Sequence, residues 1–372
     1  MRIAFIIESS YNSGGMERML ATIANEMRRY YDVTVITAFN GDKKDFFSFD
    51  EEVKRTDLGL SRDGYQAKDI KRLYKAHLAS FLMEACFDCC ISLGGMDMFF
   101  LPRIKDGSKK IFWFHFAMNY DLQTCLAGGE TIRNKILGRL KLWHRIIAAR
   151  RFDQVVVLSK ADCKMWKKYL RHVISIYNPL TIEMKKKPDY AEPRAIAVGR
   201  IERQKGFDYL VDAWKIVHER YSNWSLDIIG SSSEHNMNIL QQQIDSNGLH
   251  GIITLKGGCN DMAEAYSSHS LMILSSRYEG LGLVLIEASV CGLPLIAFDC
   301  PQGPAEIIEG GRNGYLVKPV GNIQGLADAI SKMISDDNLR RKMGEEAERM
   351  SARFSLDKIS AQWRMLFDNL MG

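Results

Sequence analysis

The stretch Leu271-Met272-Ile273-Leu274-Ser275-Ser276-Arg277-Tyr278-Glu279-Gly280-Leu281-Gly282-Leu283-Val284-Leu285-Ile286-Glu287 decides how the chain folds. Its first four residues are continuously apolar, the pattern of a short strand covered on both faces of a parallel sheet. Two serines end that run. Glu279 then falls in a loop with Gly280 and Gly282, and a helical pattern follows from Leu283 to about Val290, stopped by Gly292 and Pro294. A buried strand that runs through a glycine-bearing turn into a helix is the repeating unit of an α/β protein.

Ligands of open α/β sheets bind outside the carboxyl ends of the strands, where a helix N-terminus offers free N–H groups to an anion. Gly280 and Gly282 let the backbone come close to a phosphate, and the carboxylates of Glu279 and Glu287 can accept hydrogen bonds from pairs of hydroxyls. An anion site between two diol sites is the outline of a nucleotide sugar. Taken alone, Glu279 reads first as a solvated loop charge and Glu287 as an exposed helix residue; the motifs elsewhere in the chain count against that simpler reading.

Outward from this unit, strand and helix patterns alternate along the whole chain. Residues 2–8, 33–37, 89–92, 110–114 and 154–158 read as strands, with helices over 15–29 and 69–84 between them. Tyr177-Asn178-Pro179-Leu180 looks like a boundary, and residues 185–193 read as a polar linker. A second series has strands at 194–198, 224–229, 252–255, 271–274, 293–297 and 314–317, with helices over 206–220 and 237–246 and a helical remainder. Two doubly wound parallel sheets are expected.

The 372 residues suffice for two domains with separate cores, and 46% hydrophobic with 26% charged residues is globular usage. Residues 3–7 are apolar for too short a run to form a signal-peptide core, and no run approaches the roughly 18 to 20 apolar residues that span a bilayer. A cytoplasmic protein is expected, with its eight cysteines reduced. Cys86, Cys89 and Cys90 cluster, but no second Cys/His pair follows at zinc-site spacing. A net charge of +5 is too small to indicate nucleic-acid binding. Residues 133–151 nevertheless hold Arg133, Lys135, Arg139, Lys141, Arg145, Arg150 and Arg151 with no acid, interleaved with Ile136, Leu137, Leu140 and Trp143. Two readings of this basic helix stand: a surface that rests on the inner face of an anionic membrane, or a packed helix whose long cations snorkel over an ordinary core.

The two glutamates with seven residues between them resemble the paired-glutamate motif of the retaining glycosyltransferases of GT-B architecture, family 4. The resemblance extends to Asn12-Ser13-Gly14-Gly15-Met16-Glu17-Arg18, to Gly199-Arg200-Ile201-Glu202-Arg203-Gln204-Lys205-Gly206 and to Cys300-Pro301-Gln302-Gly303-Pro304-Ala305-Glu306, four motifs in the family's order. It implies two Rossmann-like domains facing a cleft. An acceptor-side domain would take residues 1–178 together with a returning helix near 355–372, and a donor-binding domain residues 179–354. It implies transfer of a hexose or N-acetylhexosamine from a nucleotide diphosphate sugar, most often UDP-linked, with retention, to a glycan or lipid-linked acceptor of a surface polysaccharide.

By that resemblance Glu279 and His115 carry the catalytic contacts. Gly14, Gly15, Arg200, Lys205, Gly280, Leu281, Gly282 and Glu287 hold the donor, with Glu287 on the ribose. Arg200 and Lys205 follow a strand and precede a helix, where a planar fork and a point charge can both meet phosphate, so no metal or other cofactor is expected. The glycine pair alone would mark only a turn, and a lone histidine beside a strand is more often structural; His115 stands at a strand's carboxyl end, which favours a sugar contact. Asn119 and Tyr120 are weaker candidates for the acceptor side, and Glu306 is assigned no chemistry.

Three rivals remain in view. A nicotinamide oxidoreductase lacks its Gly-x-Gly pattern here, since the first loop reads Glu8-Ser9-Ser10-Tyr11-Asn12-Ser13-Gly14-Gly15. A nucleotide-sugar epimerase of the same architecture is separated from a transferase by whether a glycosidic bond forms, and a non-catalytic two-lobed sugar-binding protein would need export, against which the missing signal-peptide pattern counts.

Overall fold

In the computed structural model, residues 1–127, 129, 131–259 and 261–372 are described. The first series runs β1 (Arg2–Ile7), α1 (Gly15–Met27), β2 (Asp32–Thr37), β3 (Lys54–Asp57), α2 (Ala67–Ala85), β4 (Cys89–Ser92) and β5 (Lys109–Phe114). It continues with α3 (Tyr120–Ala127), α4 (Ile132–Ala149), β6 (Gln154–Val157), α5 (Lys160–Trp166) and β7 (Val173–Ser175). The second runs β8 (Arg194–Val198), α6 (Phe207–Arg220), β9 (Ser225–Ile229), α7 (Glu234–Ser246), β10 (Ile253–Lys256), α8 (Met262–Ser267) and β11 (Leu271–Leu274). After it come α9 (Leu283–Val290), β12 (Leu295–Phe298), α10 (Pro304–Ile307), β13 (Gly314–Val317), α11 (Ile323–Ile334), α12 (Asp337–Ser351) and α13 (Leu356–Met371). Met1–Pro179 with Leu356–Gly372 form one unit and Leu180–Ser355 the other.

Each unit is a Rossmann-like parallel sheet. The first has seven strands in the order β3-β2-β1-β4-β5-β6-β7, the second six in the order β10-β9-β8-β11-β12-β13. Continuous apolar runs such as Ile3–Ile7 suit strands covered on both sides, and every one of those five residues is at most 2% exposed. In the first unit the order reverses between β1 and β4, in the second between β8 and β11; both pairs are hydrogen-bonded neighbours. Chains leaving two such strands diverge to opposite faces, which opens a crevice at their carboxyl ends.

Two edge strands were not foreseen. β3 reads Lys-Arg-Thr-Asp and is half-exposed, and β7 has only three residues, so neither shows a buried-strand pattern. The stretch 185–193, expected as a polar linker, is instead anchored in the second unit. The Tyr190 hydroxyl donates to Gly292 O at 2.9 Å, and the buried Arg340 guanidinium donates to Tyr190 O at 2.9 and 2.6 Å.

The last helix, α13, belongs to the first unit because its apolar face is spent there. Trp363 meets the Trp113 ring edge-on at 4.9 Å, and Phe367 meets Tyr31 at 5.5 Å. Truncation of this fully buried indole is expected to cost about 3–5 kcal/mol. Thermal unfolding of the Trp363→Ala variant checks it, and an unchanged melting temperature would mean that α13 is dispensable to the unit.

One buried acid sets a pH dependence. Asp97, fully buried after the Gly94-Gly95 turn, has its carboxyl pushed up to about 7 by burial, with the Glu8 charge adding to the push. The unfolded chain releases that proton near the usual aspartate value of about 4, so between those values the native state binds more protons and stability falls as pH rises. The slope is on the order of 1.4 kcal/mol per pH unit within the window. Relative to the wild type, an Asp97→Asn variant is expected to gain melting temperature at pH 8 over pH 5; an equal difference at both values would show that Asp97 is ionised in the native state.

Candidate functional site

The loops after β8 and β11, the two strands flanking the second unit's switch point, are stitched together. Gly206 adopts φ +63°, and a Cβ there would stand 2.2 Å from Ser275 O, so only glycine lets the β8 loop press against the end of β11. The Ser275 hydroxyl donates to Lys205 O (2.9 Å), Arg277 N–H to Gln204 O (2.8 Å) and the Gln204 amide to Tyr278 O (3.0 Å). Arg277 further donates to Arg203 O at 2.8 Å, clamps Asp208 through both guanidinium nitrogens and lies over the Tyr209 ring at 3.9 Å.

That contact brings Lys205 and Glu279, 74 residues apart, into a largely buried ion pair. Lys205 Nζ stands 2.7 Å from Glu279 Oε1, and the Ser276 hydroxyl donates to the same oxygen at 2.6 Å. Neither contact uses Oε2. Desolvation strengthens such a pair but also makes the loss of one partner costly. The neighbouring Cys300 thiol is pushed well above its ordinary range, by burial first and by the Glu279 charge second.

Beyond Glu279 the chain turns through residues 280–282 into α9. Its N-cap is Gly282 at φ +89°, which supplies no side-chain cap to the first turn. Leu281 is buried, and Gly303 backs the turn so closely that a Cβ there would fall 2.6 Å from Leu281 O. The result is a glycine-framed helix N-terminus at the carboxyl edge of the sheet, beside a lysine.

Glu287, expected on the first turns of the helix, lies in the second turn of α9, is 3% exposed, and accepts from the Tyr266 hydroxyl through Oε2 at 3.1 Å, against the simpler reading of an exposed helix residue. The Arg200 side chain is exposed and pairs with Glu202 at 3.0 Å, outside the Lys205–Glu279 contact. Ser276 and Tyr266 were not singled out from the sequence. Ser276 carried the signal of a polar residue ending a buried strand; Tyr266, in the preceding helix, carried none.

The first unit has its own crevice at the β1–β4 reversal, a cavity of about 810 Å³ whose lining includes Glu8, Tyr11, Asn12, Glu17, Lys43 and Arg62. Gly14 caps α1 and Gly15 begins it, and Glu17 folds back so that a Cβ on Gly14 would lie 2.3 Å from Glu17 Oε2. Glu17 is thus a packed residue whose carboxylate would have to swing aside for any side chain at Gly14.

His115 follows β5 and packs on Trp113, ring centroids 4.2 Å apart. Burial pushes its imidazole down to about 3, so it is neutral at physiological pH, and Nε2 has no hydrogen-bond partner. A buried ring nitrogen left open is costly unless something meets it. Tyr120 stacks on Phe116 at 4.3 Å, and the buried Asn119 Oδ1 has no partner. Cys86 is exposed while Cys89 and Cys90 are buried, all eight cysteines are unpaired, and no group of three or more His, Cys, Asp or Glu residues fit to hold a metal occurs among the described residues.

Paired parallel-sheet units of this kind define the two-domain α/β class of the GT-B glycosyltransferases. The family model described as glycosyl transferases group 1 matches residues 181–350, all within the second unit. An uncharacterized glycosyltransferase of Haemophilus influenzae is 30% identical over 98% of this chain and 99% of its own length. The amylovoran biosynthesis glycosyltransferase of Erwinia amylovora is 28% identical over 97% of this chain and 98% of its own. Among solved structures, Anabaena HepE in complex with UDP and glucose aligns over 99% of this chain and all of its own with a TM-score of 0.77, at 19% identity, a likeness of fold. The chain is a glycosyltransferase and belongs to the group 1 family.

Proposed function

We propose that the protein transfers a hexose or N-acetylhexosamine from a UDP-sugar to a glycan or lipid-linked acceptor in the synthesis of a surface polysaccharide, with retention of configuration and without a metal. The observation that carries the reading is the Lys205–Glu279 pair beside the Gly282-capped N-terminus of α9. As the sugar–phosphate bond breaks, its electron pair leaves with the nucleotide diphosphate. Lys205, the amides of the first turn of α9 and the exposed fork of Arg200 supply positive charge where that anion forms. Glu279, with Oε2 uncommitted to Lys205 or Ser276, accepts from hydroxyls of the transferred sugar. Glu287 accepts from the ribose diol, which requires it to exchange or share its Tyr266 contact.

On the first unit, neutral His115 can donate or accept a hydrogen bond at a sugar hydroxyl. The cavity at the β1–β4 reversal is assigned to the acceptor; its mixture of carboxylates, amides and aromatic rings suits a carbohydrate. In the retaining scheme the acceptor hydroxyl attacks from the face the nucleotide leaves, and its proton passes to the departing phosphate oxygen. The names of the relatives support the substrate class: one builds amylovoran, and the solved one holds UDP and glucose.

A panel of UDP- and GDP-sugars assayed for nucleotide release, with and without chelator, tests the reading. Release from a UDP-sugar that persists in chelator and yields a new glycosidic bond is the expected result. Release abolished by chelation contradicts the metal-free scheme, and an epimerised donor without transfer contradicts the reaction itself.

A further inference from the structure

We propose that the outward face of α4 is a docking surface for an anionic lipid bilayer. The inward face of this helix is fully accounted for. Gly138 lets α3 approach so closely that a Cβ would stand 2.8 Å from Leu122 Cα, and Ile146, Ala148 and Ala149 are buried. Arg145 corrects the expectation of an unbroken basic face: it is drawn inward into a two-pronged ion pair with Asp121 of α3, at 2.7 and 2.8 Å.

The opposite face is not polar. Ile132, Ile136, Leu140, Trp143 and Ile147, spaced four, four, three and four residues apart, form one stripe along the helix, and Leu137 borders it. All six are exposed; Ile132 retains 78% of its surface and Leu140 62%. Single exposed apolar residues are ordinary, but a contiguous row of large ones on a helix already packed on its other side marks an interaction surface.

Charge selects the partner. At a hundred degrees per residue, Lys135 and Arg139 flank the stripe on one side and Arg133 on the other, all exposed, and no carboxylate occurs from residue 131 to residue 152. Trp143 meets the Tyr169 ring edge-on at 5.6 Å, and Lys167, Lys168 and Arg171, next to Tyr169 in sequence, are exposed. An apolar stripe with cations along both borders and a Trp/Tyr pair beside it fits a helix lying in the headgroup layer: the stripe enters the acyl boundary, the cations meet lipid phosphates and the aromatic rings sit at the interface. No helix among the described residues is long and apolar enough to cross a membrane, so the fit is to the surface. A second copy of this chain is a poorer partner, because a two-fold contact would set the cationic borders against each other.

α4 carries none of the residues assigned to the donor, and the test of its surface reads binding rather than transfer, so the two proposals fail separately. The full chain is incubated with vesicles of phosphatidylcholine alone or mixed with phosphatidylglycerol, and bound protein is recovered by flotation. Binding to the phosphatidylglycerol vesicles is expected to exceed that to phosphatidylcholine by at least about tenfold and to weaken as salt rises. Leu140→Glu is expected to lower it by at least about tenfold, with an unchanged melting temperature because the side chain is exposed. Ile132→Ser, in the first turn, repeats the test should Leu140→Glu misfold, and Arg133→Gln with Arg139→Gln should flatten the preference for anionic lipid. Equal recovery with both vesicle types, binding that survives every substitution, or no binding at all would overturn the proposal. So would a dimer seen by light scattering that Leu140→Glu dissociates while vesicles capture nothing.

Discussion

Glu279→Gln is expected to lower kcat/KM by at least about a hundredfold, the scale seen when a group positioned on the reacting substrate is removed. Glutamine keeps an oxygen for the Lys205 and Ser276 contacts, so the fold should survive; what disappears is the negative charge and a second acceptor oxygen. With that charge gone, the Lys205 ammonium is left poorly compensated in a site where it is only 16% exposed, and a loss of stability on the order of 1–3 kcal/mol is expected alongside the loss of turnover. Lys205→Met should also reduce turnover, and because the two groups form a pair the double variant should lose less than the sum of the singles. Steady-state kinetics with the preferred donor, together with melting curves, separate the two effects. Turnover within about twofold of wild type for folded Glu279→Gln would remove this carboxylate from the chemistry.

Gly206→Ala acts without touching a functional group. The added methyl would lie 2.2 Å from Ser275 O, a backbone atom that cannot swing aside, and the φ of +63° is itself unfavourable for alanine. Strain and forced separation of the two loops together are expected to cost on the order of 3 kcal/mol. If the chain instead relaxes by moving the β8 loop off β11, the Lys205–Glu279 contact opens and activity falls while stability is partly restored. Either way one observable moves. A variant with wild-type melting temperature and wild-type kcat/KM would show that the tight crossing of these loops has no role in the site.

The two parallel sheets were legible because their central strands are apolar except for a polar residue at an end: residues 89–92, 194–198 and 271–274 stand where the patterns put them. The glycine turn into α9 was legible for the same reason, since an apolar run that stops at Ser275 and, past Gly280 and Gly282, resumes with helical length has few alternatives. Edges were not, because a strand such as β3 pairs on one side only and its half-exposed residues need no apolar pattern.

Pairing across the sheet was hidden for a different reason. That Lys205 meets Glu279 depends on β8 lying next to β11, and strand order is set by packing of the whole unit rather than by any local signal. That Lys205 and not Arg200 meets the β11 loop was hidden as well, because it follows from the close approach of Gly206 to Ser275. The burial of Glu287 was masked by α9 itself, whose sequence Leu-Val-Leu-Ile-Glu-Ala-Ser-Val is apolar on nearly every side and so leaves no hydrophilic face to orient it. On α4 the count of cations was visible but their partition was not: Arg145 finds Asp121 only because Gly138 admits α3.

The central claim is that the turn between β11 and α9, with Lys205 beside it, is where the nucleotide diphosphate binds. A crystal structure of the full chain with UDP measures this directly. The diphosphate is expected within hydrogen-bond distance of the amides that follow Gly280 and of the Lys205 ammonium, with the ribose hydroxyls on the Glu287 carboxylate. UDP bound away from the carboxyl ends of β8 and β11, with the Lys205–Glu279 pair undisturbed, would contradict the account.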